Sequence, residues 1–398
     1  MHFAINRNRL THSLDLANAT GLEIGPLVNP IITRAMGNVK YVDRASTEDL
    51  RTWYSRDDKI NVDDIVDIDY IWGEQSLSEA TGDTAQFDYC IASHVIEHIP
   101  DLITWLGEIA SILKPGGVAC FAVPDKRYTF DCLRPLTTTA DLVDSYLNKL
   151  RKPSFRHIYD HFSNFAELDI QTAWAHDFDA GNLKPANSPN HAYNACIDSI
   201  KENSYVDSHC SVFTEGSFFE LLESVSALGL LDFRVNKRFE VKPGMFEFVV
   251  QLEKLDSALS PEQKHAEFTQ SLEVTSSTAL LMDFTSDQIC DPKVYYDIGN
   301  GINEIDSQVS NYTEVGQPMQ LRFKLPPVDI LKFRFDPSDN ECSFQISGIR
   351  WQNIEGYSPL SVDTLEPLNQ IAKASAINGR FSCESVKGAN DPSILIPV

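Results

Sequence analysis

Between residues 20 and 124, short apolar runs alternate with segments of helical pattern, and this alternation restricts the fold more than any other feature of the chain. The runs are "GLEIG", "NVKYVD" ending at Asp43, "DDIVDIDYIW", "FDYCIAS" ending at Ser93, and "VACFAVPD", whose strand ends at Pro124. Ser46 and Asp49 resemble a capping box opening "STEDLRTWY". Residues 101–113, "DLITWLGEIASIL", read as a helix that "KPGG" breaks. Strands separated by helices predict parallel βαβ units with helices on both faces of one sheet.

Further along, "FTEGSFFELLESVSALGLL" predicts a capped amphipathic helix. The stretch "DFRVNKRFEVKPGMFEFVVQLEK" predicts a strand pair around Pro243-Gly244, which adds an antiparallel edge to the sheet. After about residue 255 the texture changes. "DSALSPEQKHAEFTQSLEV" is polar and helix-prone, and short alternating strands then dominate, as in "KVYYDIG", "MQLRFKL" and "CSFQISGIRWQN". The expected fold is therefore α/β: a Rossmann-like, mostly parallel sheet with an antiparallel C-terminal edge pair, a long lid insertion and a second, β-sandwich domain. The expected boundaries are 1–255 for the first domain, with the lid at about 130–212, then a linker over 256–276 and the sandwich over 277–398.

Charge narrows the partners. With 33 basic and 57 acidic side chains the chain carries a formal charge of −24, which repels phosphate backbones and argues against nucleic acid and anionic membranes. No apolar run approaches the roughly 18 residues of a spanning helix. "MHFAINRNRL" lacks the apolar centre of a secretory leader, so a cytoplasmic location is expected. Eight scattered cysteines without a CxxC pair read as free thiols.

The order of "LEIGP", "YVD", "SHVIEHIPD", "LKPGG" and "VPDKR" resembles the class I S-adenosylmethionine-dependent methyltransferases. The resemblance covers residues 20–130 and, more loosely, the strand pair at 233–252. "PDKRYTFDCLRP" extends it toward a bacterial group associated with surface-polysaccharide glycosyltransferases, such as those building O-antigen. The resemblance implies S-adenosylmethionine as cofactor. It implies as activity the O-methylation of a sugar hydroxyl in a surface glycan or its sugar-nucleotide or lipid-linked precursor, with glycosyltransferases of the same pathway as partners. An oligomer is compatible with this. A small-metabolite O- or N-methyltransferase is the alternative within enzymes. A noncatalytic glycan-binding or assembly protein with a degenerate fold is the alternative outside them.

A sulfonium cofactor lacks the pyrophosphate for which dinucleotide sites need several glycines. One close backbone approach, at Gly25 beside Pro26, can then suffice, with Glu23 near the cofactor's cationic amino-acid end. Leu27 and Asn29 stand where the fuller motif has glycines, which leaves the loop path open. Asp43 is the candidate ribose ligand, because a strand-end carboxylate accepts from both hydroxyls. Asp67 and Asp69 are both candidates for the adenine side, and Ser93 and His94 for contacts after the fourth strand. Glu97 and His98 read as chiefly structural.

A sugar hydroxyl is a poor nucleophile, so a positioned base helps. The connection between the fifth strand and the helix opening near 214 holds His157, His161, His176, His191 and His209. Two pairs stand out in it, Asp160-His161 and Asp207 with His209, whose i, i+2 spacing puts both on one side of an extended segment. Either histidine can serve as base with its carboxylate orienting the ring; a hydrogen-bonded lid framework is the plainer alternative. A divalent metal held by Asp and His, as in some sugar methyltransferases, is a third reading; without a recognisable ligand motif no metal is assigned. Arg127 and Arg134 are candidates for an anionic acceptor or for lid salt bridges. In the sandwich, Tyr295, Tyr296 and Trp351 are candidates for stacking on sugar rings, with core packing as the alternative.

Overall fold

The computed structural model describes residues 2–397 except 13, 83, 176–177, 203–204, 243, 277, 299–300, 305–306, 326–329, 354–355 and 378. His176 and Pro243 thus lie outside the described residues. The chain divides into two compact units, Met1–Leu272 and Glu273–Val398.

The first unit is built on a seven-stranded sheet. Its strands are β1 (Thr20–Ile24), β2 (Asn38–Asp43), β3 (Tyr70–Ile71), β4 (Phe87–Ser93), β5 (Leu113–Pro124), β6 (Phe233–Phe239) and β7 (Glu247–Lys254). They lie in the order β3-β2-β1-β4-β5-β7-β6, and β7 runs antiparallel to both of its neighbours. Burial on both faces explains the continuous apolar character of β4 and β5. Ala92, Phe121 and Trp105 pack into one core, and Tyr41, Tyr89 and Ile91 into another. Glycine is required at position 21, because a Cβ there would lie 1.9 Å from the ring of Tyr89.

Two segments depart from the sequence reading. "DDIVDIDYIW" forms a 3-10 turn over Val62–Asp64 and only a two-residue strand. Ile65 turns inward among the loops beside Leu50, and Val66 donates its N–H to Leu27, so local packing prevails over strand pairing. The expected linker is likewise no free chain. Pro261–Ser276 is a helix whose Phe268 is fully buried in the core of the first unit. The Val235 N–H donates to Ser271 Oγ at 2.9 Å, and Lys264 pairs with Asp232 at 2.5 Å. Its polar composition conceals a narrow apolar stripe, Phe268 and Leu272, which is all the contact requires.

The lid leaves the sheet at Asp125 and returns at Phe213, where the two residues form a β-bridge. Helices at Thr139–Leu147, Phe155–Ser163, Ile170–Ala173 and Pro189–Glu202 lie within it. In the second unit, antiparallel sheets of five and six strands share one core. Phe284 of one sheet meets Phe335 of the other edge-on, with centroids 5.5 Å apart. The expectation of sugar-stacking aromatics is corrected here. Tyr295 and Tyr296 are each only 7% exposed, and Trp351 packs edge-on against Phe333. All eight cysteines are buried and free. Among the described residues, no helix is long and apolar enough to cross a membrane.

Candidate active site

Connections run to opposite sides of β1 and β4, so the carboxyl ends of these two strands flank the switch point where open α/β sheets bind ligands. Each of the two strands is followed closely by a residue in the left-handed region, Gly25 with φ 68° and His94 with φ 55°. A non-glycine residue there costs on the order of 1–3 kcal/mol, a strain found most often at functional sites. The Gly25 N–H donates to Val42 and the His94 N–H to Ala122, which fixes both bends to neighbouring strands. Leu27 also adopts a positive φ, 43°, so the loop makes the turn of the fuller glycine motif without its glycine.

A cavity of about 860 Å³ opens at this point, and Gly25, Leu27, Asp43, His94, His98 and Asp207 all line it. The residues suit the cofactor implied by the sequence. A Cβ added at Gly25 would sit 3.0 Å from Val95 and narrow the cradle. Asp43 accepts the Arg44 N–H at 2.7 Å, and burial pushes its carboxyl up to about 6. Lid and sheet meet across the cavity wall, with the Arg44 guanidinium carbon 3.3 Å from the ring centroid of Tyr205.

The other cofactor candidates lie elsewhere. Glu23 is 2% exposed and turned beneath the loop, where its two oxygens accept the N–H groups of Ile31 at 2.7 Å and Ile32 at 3.0 Å. Burial pushes its pKa up to about 7 against those two bonds. It is therefore a clamp on the loop and not part of the cavity lining. Pro26 and Ser93 are also absent from the lining, Pro26 closing a turn to the Asn29 N–H and Ser93 pairing with Ala122 in the sheet. Asp69 is bound to Arg34 at 2.9 Å, to Lys40 at 3.3 Å and to the Tyr41 N–H. Neither it nor Asp67, whose carbonyl accepts from Arg34, lines the cavity.

The lid candidates are regrouped. Asp207 and His209 do not pair with each other. Asp207 Oδ1 lies 2.9 Å from His98 Nδ1, whereas His209 Nδ1 lies 2.5 Å from Asp131 Oδ2. The backbone reason is plain: Cys210 and Ser211 both donate to the Glu97 carbonyl, docking this segment of the lid on the turn after β4. Asp160 is likewise separated from His161. It takes Arg134 Nε at 2.8 Å and Asn164, while His161 Nδ1 accepts the His209 N–H. Arg134, 2% exposed, also donates to Asp131 and to the His209 carbonyl, so it belongs to the framework. Arg127 pairs with Asp125.

Electrostatics follow the pairing. Burial disfavours charge on His98, but the Asp207 hydrogen bond and nearby carboxylates outweigh it and raise its pKa. Burial likewise opposes ionisation of Asp131, yet the His209 hydrogen bond holds its carboxyl down to about 2. His161, with no carboxylate bound to its ring among the described residues, is pushed down to about 4, chiefly by burial. Sequence reasoning passed over Asp131 and read Glu97-His98 as structural. The signal for the latter was their place directly after β4, at the carboxyl edge; nothing local marked Asp131.

Sheet order and the cavity at the switch point are those of a class I S-adenosylmethionine-dependent methyltransferase fold. Residues 15–181 match the family model described as "Methyltransferase domain", so the chain carries such a domain. No curated protein matches the sequence. Similar solved structures include a putative S-adenosylmethionine-dependent methyltransferase from Listeria monocytogenes, at 13% identity and TM-score 0.32, covering 64% of this chain and 100% of that one. Another is the 1,6-didemethyltoxoflavin-N1-methyltransferase of Burkholderia thailandensis, at 16% identity and TM-score 0.33, covering 64% and 78%. A third is the CurJ carbon methyltransferase, at 13% identity and TM-score 0.31; there the match covers 64% of this chain and about half, 54%, of that one.

Proposed function

We propose that the protein is an S-adenosylmethionine-dependent O-methyltransferase acting on a hydroxyl of a sugar, in a bacterial surface glycan or its activated precursor. One observation carries this reading: a single cavity joins Gly25 and Asp43 to His98 and Asp207. The cofactor supplies a methyl group activated on sulfonium. Asp43 would hold its ribose hydroxyls, and Gly25 would admit its backbone-facing edge. The acceptor oxygen takes the methyl group as it gives up its proton to the imidazole–carboxylate cluster, while the lid excludes competing water.

His98 with Asp207 replaces the pair His209 with Asp207 as the cavity-facing partner of the acceptor, and His209 supports it from behind, with ring centroids 4.6 Å apart. The second unit, with Tyr295 and Tyr296 buried, would serve this activity by holding a glycan chain on other surfaces or by docking a glycosyltransferase. The test is mass spectrometry of candidate glycans and sugar nucleotides after incubation with cofactor. A methyl gain lost in His98→Ala, with S-adenosylhomocysteine affinity kept, supports the reading. Methylation of a nitrogen or carbon centre instead would overturn it.

A further inference from the structure

We propose that Glu97, His98 and His209 form a two-imidazole, one-carboxylate site for a first-row divalent cation at the edge of the cavity. Ligand atoms from these three residues all lie within 4.8 Å of one another, a spacing that a single ion can bridge. His98 Nε2 is 4.0 Å from Glu97 Oε1.

The neighbours of the triad are those a metal site needs. Metal-bound imidazoles nearly always direct their second nitrogen to a carboxylate, which fixes ring orientation and tautomer. Both rings here do so through Nδ1, His98 to Asp207 at 2.9 Å and His209 to Asp131 at 2.5 Å. Each ring is left with Nε2 for a ligand. Arg134 in turn holds Asp131, so the outer shell is itself anchored.

An independent observation concerns Glu97. It is 1% exposed, and its Oε2 has no hydrogen-bond partner among the described residues. A buried carboxylate oxygen left bare is costly, and a coordinated ion would satisfy it. His94 stands beside it, Nδ1 at 3.6 Å from Glu97 Oε1, in its left-handed backbone conformation. The second cluster of this kind, Asp131, His161 and His209, is already committed. Asp131 is bound to Arg134 and His209, and His161 Nδ1 accepts a backbone N–H.

Two nitrogens and one carboxylate with open positions favour Mn²⁺, Fe²⁺, Co²⁺ or Zn²⁺ over Mg²⁺ or Ca²⁺, which prefer all-oxygen shells. His98 lines the cavity, so the ion would face the acceptor. There it would act as a Lewis acid that lowers the pKa of a bound hydroxyl; with the ion in place His98 is a ligand and not the proton acceptor, and the proton leaves to water.

The experiment titrates the metal-stripped full-length protein with Co²⁺, following visible absorption, and with Mn²⁺, following its electron paramagnetic resonance signal. One saturable equivalent is expected. Glu97→Gln and, separately, His98→Ala should weaken Co²⁺ binding at least about tenfold, and Asp131→Asn, a positioning change, by about 10–100-fold. His98 is partly exposed, so its variant keeps the test open if Glu97→Gln fails to fold. Absence of stoichiometric Co²⁺ and Mn²⁺ binding, or binding unchanged in both ligand variants, overturns the proposal. Calorimetry with S-adenosylhomocysteine on the same samples separates this from the methyltransferase reading. Metal bound without nucleoside would sink that reading alone, and nucleoside bound without metal would sink the cation site alone.

Discussion

His209 and Asp131 stand 78 positions apart in the chain, yet His209 Nδ1 lies 2.5 Å from Asp131 Oδ2 in a buried contact. The pair ties the start of the lid to its end, and Arg134 completes it by bonding Asp131 on one side and the His209 carbonyl on the other. Removing the guanidinium would leave Asp131 buried and short of a cation. Arg134→Met should therefore destabilise the first unit by about 3–5 kcal/mol. Urea denaturation followed by tryptophan fluorescence measures this; a loss below about 1 kcal/mol would mean the network is not coupled to folding.

Cofactor affinity should depend on the protonation of Asp43. Its carboxyl is raised to about 6, first by burial, and in the proposed ribose contact only the ionised form accepts from both hydroxyls. Affinity for S-adenosylhomocysteine should be full above about pH 7 and fall by up to about tenfold per pH unit below about pH 6. Asp43→Asn should bind more weakly at pH 8 and lack that slope. Calorimetry at pH 5, 6 and 8 decides, and an equal slope in the variant would place the titrating group elsewhere.

Gly25→Ala tests the cradle. The substitution places a Cβ at φ 68° and 3.0 Å from Val95, so the loop must shift. Affinity for S-adenosylhomocysteine should drop by about tenfold or more, the equivalent of about 1.4 kcal/mol of strain or lost contact. Unchanged binding would show that the cofactor does not approach this backbone.

His157 opens a lid helix whose N-cap is Ser154, and its pKa is depressed to about 4 by burial and then by Arg134 and Arg156. Below about pH 6.5 the unfolded chain takes up a proton that the folded chain refuses until pH 4. Its contribution to stability is therefore whole above 6.5 and lost as pH falls toward 4. Gln at the same position keeps a capping-box partner and cannot titrate. Relative to wild type, His157→Gln should gain on the order of 1–3 kcal/mol between pH 7 and pH 5. Melting curves at the two pH values measure this, and a constant difference would disprove it.

The end of the first unit can be probed by truncation. Residues 1–255 lack Phe268, whose burial is worth about 1.5–3 kcal/mol, whereas residues 1–276 retain it. The shorter fragment should melt roughly 4–8 °C below the longer one. Equal melting temperatures would return 256–276 to the status of a linker.

The sequence by itself determined what repeats locally. Strands β4 and β5 were legible because burial on both faces demands near-continuous apolar runs, and β1 and β2 as short runs closed by a turn glycine and an acid. The turn at Gly25 and the acid ending β2 were legible because each sits at a fixed place relative to such a run. The third strand shrank to Tyr70–Ile71 because Ile65 upstream serves a loop core, and the linker failed because one phenylalanine suffices to dock a polar helix. Which carboxylate meets which imidazole could not be read from spacing at all. Asp207 and His209 are two positions apart and Asp160 and His161 adjacent, but hydrogen bonds act over about 3 Å of space, not along the chain. Only the docking of Cys210 and Ser211 on the Glu97 carbonyl brings His98 to Asp207, and only the buried fork of Arg134 brings Asp131 to His209.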